Sequence, residues 1–471
     1  MDAKIFFGST EQIGNSFSER KSPYSGDIVS RAPICTESDA LKALDIAQEA
    51  TKEAKKSTLS QRCSWLLDVA SKLKENREDI AQTITDEVGK PISFSRIEVD
   101  RCIETVTLSA ETMRTMHGET INTDSMASGK KTTAFFSRVP AGVVVAITPF
   151  NFPLNLVAHK LAPALVAGNA VVLKPTPEAP LTAYKFSKLF IDSEYAIKDA
   201  LSVVYGDAEV GSALITSDIP RVISFTGSVP VGNIITKNAG IKKISLELGG
   251  NAATYIDASA DLDLAAARCA FGAFVNSGQV CISLQRIYVN ADIYDEFAQK
   301  IAHETKKLVV GSPYEDDTFL GPLIDDESAT RAMGWVESAV NEGAKSLLPV
   351  QRDGRMFSPC VMADVTDDMA IVCEEVFAPI VSLVKVDSFD NAIPRMNNSP
   401  YGLQFSVFTN DLRVTQRAIS ELDAGGIVIN DIPTLRFDIQ PYGGIKLSGV
   451  GREGPKFAIE EMTEIKSVII C

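Results

Sequence analysis

The amino-acid sequence predicts an α/β fold in which helices cover both faces of a mostly parallel sheet. From Gly142 onward, short apolar runs alternate with amphipathic helical patterns, which is typical of successive β-α units. The chain has 471 residues, more than one ordinary core organises, so about two or three domains are expected. With 45% hydrophobic and 23% charged residues, it has the composition of a globular protein.

The first third of the chain is predicted to be mainly helical after a polar start. Apolar residues recur at helical spacing in two runs, near residues 40–47 and 66–73. Gly89-Lys90-Pro91 predicts the end of a further helix. Residues 120–131 are rich in Ser, Thr and Gly, and residues 132–139 alternate loosely like an exposed strand. We expect this ribbon to be an excursion from the first domain.

Strands and helices alternate in the prediction for residues 142–249. The predicted strands are 143–147, 170–173, 201–204, 222–225 and 244–248, and the predicted helices are 154–166, 182–190, 209–215 and 231–238.

A second α/β stretch is expected after Gly249-Gly250. Asp261 is a plausible cap for a helix that runs through Phe274, and further strands are predicted near residues 286–289, 380–384 and 426–429. The apolar tail, residues 464–471, is too short to fold alone. We therefore expect it to pair with another sheet, of this chain or of a partner subunit.

Charge and cysteine content restrict the possible functions. A formal net charge of −15 argues against nucleic-acid binding, so an anionic ligand must be held locally. No stretch suits secretion, and the apolar runs are far shorter than the roughly 20 residues that span a bilayer, so no membrane partner is expected. The eight cysteines form no CxxC pair and accompany only three histidines, which predicts reduced thiols, a cytoplasmic location and no metal site.

A nucleotide site is expected at the carboxyl ends of the parallel strands. Residues 225–232, FTGSVPVG, follow a predicted strand and open a predicted helix. Their GxxxxG spacing lacks the GxGxxG of ordinary dinucleotide-binding proteins and the GK[ST] of a P-loop. Taken alone, the segment fits a plain strand-to-helix turn equally well.

Cys281 is the cysteine best placed to act as a nucleophile. It lies in a small polar turn, residues 276–283, whereas Cys269 lies on the apolar pattern of the preceding helix. A nucleophilic thiol also needs donors for the developing oxyanion and a base for the second step. Most single cysteines are packing residues, so this hypothesis needs support from other segments.

Seven ordered segments, from about Ala40 to the C-terminus, together resemble the aldehyde dehydrogenase superfamily. They are TPFNFP at 148–153, VLKP at 172–175, FTGS at 225–228, LELGG at 246–250, GQVC at 278–281, EEVFAP at 374–379 and PYGG at 441–444.

This resemblance implies an aldehyde dehydrogenase-like fold with three parts. A Rossmann-type cofactor domain would comprise residues 1–117 and 140–249, and an α/β catalytic domain residues 250–448. A small β bridging element, residues 118–139 and 455–471, would join subunits into a homodimer or homotetramer.

The resemblance also implies the roles of three catalytic residues. Cys281 matches the nucleophile that forms a thiohemiacetal and then a thioester. Asn151 matches the amide that stabilises the oxyanion together with the Cys281 backbone N–H. Glu247 matches the carboxylate that activates water; without the motif it would be interpreted as a surface carboxylate at a strand end.

NAD or NADP is the cofactor that the resemblance implies. Lys174 matches the adenosine-ribose lysine, Gly227 and Ser228 the pyrophosphate turn, and Glu375 and Phe377 the pair that positions the nicotinamide ribose and ring. Ile147, Thr148 and Pro149 would line the same cleft. Many relatives carry a ribose-binding glutamate where this chain has Pro177, a departure that leaves room for NADP. The acidic neighbour Glu178 keeps NAD open.

The substrate is expected to be a small anionic or hydroxylated aldehyde. Arg436 falls in the segment that lines the substrate mouth in this family, and Arg101 and His159 could assist it. Alternatively, Arg436 simply pairs with Asp438 or a neighbouring subunit. Val280 stands where relatives acting on phosphate-bearing aldehydes often have arginine, which favours carboxylate- or sulfonate-bearing aldehydes or lactaldehyde.

The leading hypothesis is a hydrolytic, non-acylating enzyme of the succinate-semialdehyde, lactaldehyde and sulfolactaldehyde dehydrogenase type. A CoA-acylating relative is one alternative, although such members usually lack the glutamate found here as Glu247. A catalytically silent structural relative is another alternative. The intact Asn151, Glu247 and Cys281 argue against it.

Overall fold

The strands of this protein form two large sheets and several small ones, as described for residues 2–471 in a computed structural model. In chain order the strands are β1 (Ile5–Phe7), β2 (Thr10–Gln12), β3 (Phe17–Lys21), β4 (Ile28–Pro33), β5 (Glu119–Asn122), β6 (Thr133–Pro140), β7 (Val143–Ile147), β8 (Ala170–Lys174), β9 (Leu201–Val203), β10 (Pro220–Thr226), β11 (Lys243–Glu247), β12 (Ala252–Ile256), β13 (Leu284–Asn290), β14 (Lys345–Ser346), β15 (Arg352–Asp353), β16 (Met356–Phe357), β17 (Cys360–Ala363), β18 (Ile380–Val386), β19 (Tyr401–Gly402), β20 (Gln404–Phe408), β21 (Gly426–Ile429), β22 (Ile445–Lys446), β23 (Gly449–Val450) and β24 (Thr463–Ile470).

Helices occupy most of the first third of the chain and alternate with strands afterwards. In order they are α1 (Glu37–Lys56), α2 (Leu59–Glu75), α3 (Arg77–Val88), α4 (Ile92–Thr115), α5 (Asn155–Val166), α6 (Pro180–Ile191), α7 (Ala208–Thr216), α8 (Val229–Asn238), α9 (Leu262–Phe274), α10 (Tyr294–Thr305), α11 (Asp326–Asn341), α12 (Ala370–Cys373), α13 (Phe389–Asn397), α14 (Leu412–Glu421) and α15 (Pro455–Glu461). In residues 2–471, no helix combines the length and apolar character needed to cross a bilayer.

The first large sheet has the strand order β2-β1-β9-β8-β7-β10-β11-β23. Its five central strands are parallel, as the β-α alternation predicted. The edge strands β1, β2 and β23 are antiparallel, and the prediction of a merely polar start missed β1 and β2 as well as the antiparallel pair of β3 and β4. These edge strands have only two or three residues each, too few to show the period-two alternation that identifies a strand.

The second large sheet has the order β14-β17-β18-β13-β12-β20-β21 and is parallel except for β14. It begins directly after Gly249-Gly250, so the predicted second α/β stretch is confirmed. The side chain of Asp261 accepts hydrogen bonds from the N–H groups of Asp263 and Leu264, both at 3.1 Å, which confirms the predicted cap of α9.

The C-terminal tail pairs within its own chain. β24 runs antiparallel to β6 from Thr463 opposite Pro140 to Ile470 opposite Thr133, and β5 pairs with the other edge of β6. This three-stranded sheet unites the predicted ribbon and the predicted tail. Ile465 and Ile469, which lie on one face of β24, are 60% and 64% exposed.

The core of the first large sheet lies under helices that contribute small and branched side chains. Every residue of β8 and of α5 is buried. Strands β7 and β8 are nearly continuous runs of valine, alanine and leucine, as expected where a parallel sheet is covered on both faces. This packing fixes the carboxyl ends of the central strands, from which the candidate site is built.

Candidate active site

One large cleft, of about 610 Å³, opens where the carboxyl ends of the first large sheet face loops of the second. This position is the expected one for a ligand in an open parallel sheet. Its walls include eleven of the residues singled out in the sequence, namely Arg101, Pro149, Asn151, Gly227, Ser228, Glu247, Val280, Cys281, Glu375, Phe377 and Arg436. The sequence therefore identified side chains from both halves of the chain that share one cavity.

A left-handed turn between α9 and β13 presents Cys281 to the cleft. Three consecutive residues, Asn276, Ser277 and Gly278, have positive φ values of 53°, 55° and 71°. Asparagine and glycine tolerate this region best, and serine there is strained. A Cβ atom on Gly278 would collide with the backbone carbonyl of Ala378, so glycine is required at this approach. The sequence thus specifies the conformation of this turn, which places the Cys281 thiol at the end of the cleft.

Cys281 lies half-buried beside a phenol and a guanidinium. Its Sγ is 3.1 Å from the hydroxyl oxygen of Tyr442. Burial raises the pKa of the Cys281 thiol to about 12, while the Tyr442 hydroxyl and the positive charge of Arg436 act in the opposite direction. In this state the thiol is protonated at neutral pH.

Asn151 lies in the loop between β7 and α5, next to the thiol turn. Its Nδ2 donates a hydrogen bond to the carbonyl oxygen of Gln279 at 3.1 Å, which leaves a second amide hydrogen for another acceptor. The loop is fixed because the buried carboxylate of Glu98 accepts hydrogen bonds from the N–H groups of Leu154 and Asn155, at 2.9 and 3.1 Å. Asn151 is thereby held within the cleft wall.

Glu247 ends β11 with a carboxylate that has no partner. Its side chain is buried, and both carboxylate oxygens lack a hydrogen bond to any of residues 2–471. Burial, reinforced by the nearby negative charge of Glu453, raises its pKa well above the usual value. A Cβ atom on Gly443 would lie 2.7 Å from Oε1 of Glu247, so glycine at this position keeps the carboxylate uncovered.

A buried chain of charges lies behind Glu247. Lys160 of α5 pairs with Glu453 at 3.2 Å, and the other oxygen of Glu453 accepts a hydrogen bond from Nη2 of Arg436 at 3.0 Å. The guanidinium carbon of Arg436 lies 3.7 Å from the ring centroid of Tyr442. Since its side chain is only 8% exposed, Arg436 belongs to the inner wall of the cleft.

The chain of charges continues outward to the cleft mouth through Asp438. The Asp438 carboxylate accepts two hydrogen bonds from Arg101, at 3.0 and 2.7 Å, and lies 3.7 Å from Nε of Arg436. His159 Nε2 is 3.0 Å from both Asp438 Oδ1 and Arg436 Nη2. Burial and the charge of Arg436 lower the His159 pKa, so this histidine is neutral. His159 lies behind the cleft wall, whereas the half-exposed Arg101 faces the mouth.

Two orphaned hydroxyl groups mark where a cofactor fits. The buried side-chain oxygens of Thr148 and Thr226, at the ends of β7 and β10, have no hydrogen-bond partner within residues 2–471. Buried polar groups without partners are rare, and these two lie where a nucleotide is expected. The Gly227 N–H donates to the Glu247 carbonyl oxygen at 3.0 Å, which joins the predicted phosphate turn to the strand end that carries the carboxylate.

The adenosine end of the predicted cofactor site lies around Lys174, outside the cleft walls. The backbone carbonyl of Lys174 accepts a hydrogen bond from the Thr148 N–H at 3.3 Å, next to Ile147 at the end of β7. Burial lowers the Lys174 pKa, opposed by the charges of Asp207 and Glu178. Pro177 is exposed, and the Glu178 carboxylate accepts a hydrogen bond from the Thr176 hydroxyl.

The nicotinamide end of the predicted site is shaped by two glycines. The Gly250 N–H donates to Oε1 of Glu375 at 2.9 Å. A Cβ atom on Gly249 would collide with the Glu375 carboxylate, and one on Gly250 with the Cys281 carbonyl oxygen. Burial raises the Glu375 pKa to about 7. Phe377 has a positive φ of 50°, a strained value that turns its ring toward Phe150, with the centroids 6.0 Å apart.

Three polar members of the site were not identified from the sequence. Lys160 and Glu453 received no role, and Tyr442 was noted only within its motif. No local pattern could have revealed the Lys160–Glu453 pair, because 293 residues separate its members. One signal in the sequence could have identified Tyr442. Its hydroxyl group lies next to two glycines at a cleft, where a polar group needs a hydrogen-bond partner.

Comparisons with known proteins agree with this geometry. The sequence pattern of the Aldehyde dehydrogenase family matches residues 10–468. The chain is 44% identical to 3-sulfolactaldehyde dehydrogenase of Priestia aryabhattai, over 93% of this chain and 91% of that protein. It is 39% identical to lactaldehyde dehydrogenase of Methanococcus aeolicus, over 98% of this chain and 99% of that protein.

A solved structure shows the same fold. The NADP-dependent glyceraldehyde-3-phosphate dehydrogenase of Bacillus halodurans, complexed with NADP, superposes with a TM-score of 0.97 at 33% identity, covering 100% of this chain and 99% of that chain. The predicted fold class and cofactor class are confirmed. Because the family pattern spans nearly the whole chain, this protein belongs to the aldehyde dehydrogenase family and oxidises an aldehyde to a carboxylic acid with NAD or NADP.

Proposed function

We propose that the substrate is a short aldehyde carrying a carboxylate or sulfonate at the end remote from the carbonyl. One observation carries this proposal: the guanidinium groups of Arg101 and Arg436 both line the cleft, and the buried Nε of Arg436 has no hydrogen-bond partner within residues 2–471. An anionic substrate would accept a hydrogen bond from this Nε, and guanidinium groups recognise planar or tetrahedral anions well.

The three predicted catalytic residues then act in sequence. The Cys281 thiol first loses its proton to solvent water in the cleft; the thiolate then attacks the carbonyl carbon, a C–S bond forms, and the π electron pair moves to oxygen. That oxygen accepts hydrogen bonds from the free N–H of Asn151 and the backbone N–H of Cys281. A nicotinamide held near Glu375 and Phe377 would serve as the hydride acceptor; when the carbon loses its hydride, the oxyanion re-forms the C=O bond and a thioester remains at Cys281.

Hydrolysis of the thioester falls to Glu247. Its carboxylate accepts a proton from water as the water oxygen attacks the thioester carbon. The C–S bond breaks, the sulfur leaves as thiolate, and the carboxylic acid departs. A buried carboxylate with a raised pKa and two unpartnered oxygens suits this role, because it is a stronger base than an exposed glutamate.

The anion proposal is tested with Arg101→Leu and Arg436→Leu. A charge-assisted hydrogen bond is worth about 1.5–3 kcal/mol, so kcat/KM for succinate semialdehyde or sulfolactaldehyde should fall roughly 10- to 100-fold more than for propanal. Arg268→Leu is the matched control. Arg268 also lines the cleft but pairs with Asp431, outside the network, so its loss should affect charged and uncharged aldehydes alike.

An equal loss for all aldehydes in both variants would overturn the anion proposal. It would favour a second candidate, a small uncharged hydroxyaldehyde such as lactaldehyde. The observation behind this candidate is that Arg436 and Arg101 each already have a carboxylate partner, as in the alternative in which Arg436 is structural. The relative named lactaldehyde dehydrogenase supports including lactaldehyde in the assay.

We infer a division of labour among three parts of the chain. Residues 1–117 and 140–249, which contain the central strands of the first large sheet, would bind the cofactor, and residues 250–448 would carry the nucleophile. Residues 118–139 and 455–471 would form a bridging element that joins subunits into a homodimer or homotetramer. An apolar face on this element, formed by Ile121, Phe136, Ile465 and Ile469, supports the inference. The cytoplasmic location stays a prediction.

A further inference from the structure

Tyr442 touches the reacting sulfur, yet the mechanism above leaves it unused. Its hydroxyl oxygen is 3.1 Å from Cys281 Sγ, and its ring is only 3% exposed. We propose that Tyr442 is a catalytic residue that donates its phenolic hydrogen bond to the Cys281 sulfur and so stabilises the thiolate before attack. The proposal rests on the proposed function of Cys281 as the nucleophile.

The direction of this hydrogen bond follows from the chemistry of the two groups. A phenol O–H is a far stronger donor than a thiol S–H, and a thiolate is an acceptor only. The guanidinium carbon of Arg436 lies 3.7 Å from the Tyr442 ring centroid. A phenol that accepts a hydrogen bond gains partial positive charge, which the nearby cation disfavours. The same cation favours negative charge on the neighbouring sulfur. Tyr442 thus links the cation to the thiolate.

The Tyr442 ring is held rigidly, as a catalytic donor requires. Its backbone exchanges hydrogen bonds with Glu453, N–H to carbonyl at 3.1 Å and in return at 2.7 Å. The ring packs in a small apolar cluster with Val280, Ile282 and Leu403. Since Glu453 also binds the guanidinium stacked on the ring, the same residue fixes both Tyr442 and Arg436.

The charged groups around this pair come from four segments. Arg436 lies in the same loop as Tyr442, and Glu453 is its partner. Glu247, from the end of β11, and Glu375, which follows α12, also face the thiol and oppose its ionisation. With two carboxylates against one guanidinium, the hydrogen bond from Tyr442 is a neutral contribution that favours the thiolate.

The test is the rate at which iodoacetamide alkylates Cys281 at pH 8, measured by peptide mass for wild type and Tyr442→Phe. This pH lies below the thiol pKa, so the rate reports the thiolate fraction. Phenylalanine keeps the ring and its stacking. We expect alkylation to slow roughly 10- to 100-fold, the usual worth of a hydrogen bond to a charged group. Tyr205→Phe removes a buried hydroxyl that has no partner in residues 2–471, and should leave the rate unchanged.

A second measurement separates the hydroxyl from a general disturbance of Arg436. Tyr442→Phe should lower kcat/KM by a similar factor for an anionic aldehyde and for propanal, whereas displacement of Arg436 would lower kcat/KM more for the anionic aldehyde than for propanal. Superimposed alkylation rates for wild type and Tyr442→Phe would overturn the proposal. If Cys281→Ser retained aldehyde oxidation, the proposed function itself would fail, so the two failures are distinguishable.

Discussion

Glu247 combines complete burial with a raised pKa and no hydrogen-bond partner, and these properties determine how its replacement should behave. In Glu247→Gln, attack by Cys281 and hydride transfer need no carboxylate, so a burst of reduced cofactor equal to the enzyme sites should persist. Steady-state kcat should fall about 10²- to 10⁴-fold, the usual worth of a general base. Stopped-flow absorbance at 340 nm measures both phases.

The matching control for this kinetic prediction is Cys281→Ser, which should show neither burst nor turnover. If Glu247→Gln lost the burst as well, Glu247 would have to act in the attack step. Its role would then lie before the thioester and not after it.

Glu247 should also make the stability of the protein depend on pH. The pKa of Glu247 is higher in the folded protein than in the unfolded chain, where it is 4.5. The protonated carboxyl therefore contributes its full stability below pH 4.5. This stability is lost as the pH rises through the folded-state pKa. Each unit of that elevation is worth about 1.4 kcal/mol. We expect Glu247→Gln to melt near wild type at pH 5 and increasingly above it toward pH 8.

Thermal melts at one scan rate across this pH range measure the effect. The pKa of Glu453 is lowered, so the stability that its charged form contributes is lost only at acid pH. Between pH 5 and pH 8 this contribution therefore cancels between wild type and Glu247→Gln. A melting difference independent of pH would show that Glu247 is ionised in both states.

For single residues, the sequence and the structure reveal different properties. The motifs indicated which side chains share the cleft, including Asn151, Cys281 and Glu375. They could not indicate the missing partners of Glu247 or the contact of Tyr442 with Cys281. Hydrogen bonds between segments far apart in the chain leave no local pattern.

Among the elements, the turn before Cys281 is the one whose conformation is most demanding. Gly278→Ala places a Cβ at a φ of 71° and against the Ala378 carbonyl. We expect a destabilisation of about 1–3 kcal/mol and slower alkylation of Cys281. Chemical denaturation and the iodoacetamide rate measure the two effects.

Gly334→Ala in α11 is the control for this substitution. A Cβ there meets nothing within 4 Å, so alanine should stabilise the helix by about 0.4–1 kcal/mol and leave Cys281 unaffected. Equal effects of the two substitutions would mean that the turn tolerates a side chain, and that its left-handed conformation does not position the thiol.

The elements that were predicted best are those in the regular β-α alternation. The central strands β7 to β11 and the helices between them were predicted within a few residues, because apolar runs and helical periodicity alternate there. Strands β1, β2 and β23 were missed. Their pairing with the main sheet is a tertiary effect that short segments cannot encode in their own pattern.

For the whole molecule, the three-stranded sheet of β5, β6 and β24 carries the prediction about assembly. Replacing Ile465 and Ile469 by lysine puts two charges on the apolar face proposed to join subunits, and burial of unpaired charges is costly. We expect the double variant to sediment as a smaller species than wild type while keeping its far-ultraviolet circular dichroism. Substitution of Leu412 and Ile419, exposed on α14, is the control.

If both double variants sediment like wild type, subunits associate elsewhere or not at all. The sequence indicated that the ribbon and the tail belong together only through the family resemblance. Their pairing joins residues more than 300 positions apart, as with Thr133 and Ile470. Such long-range partners cannot be deduced from hydrophobic periodicity alone.

The position of Glu453 in the chain has a consequence for how the protein is made. Ribosomes synthesise a chain from its N-terminus, so Lys160 and Arg436 emerge before the carboxylate that binds both of them. Until residue 453 leaves the exit tunnel, two cations of the future cleft have no such counter-ion, and edge strand β23 has only just been added. The nascent polypeptide therefore acquires the complete set of charges around its active site only at a late stage of its translation.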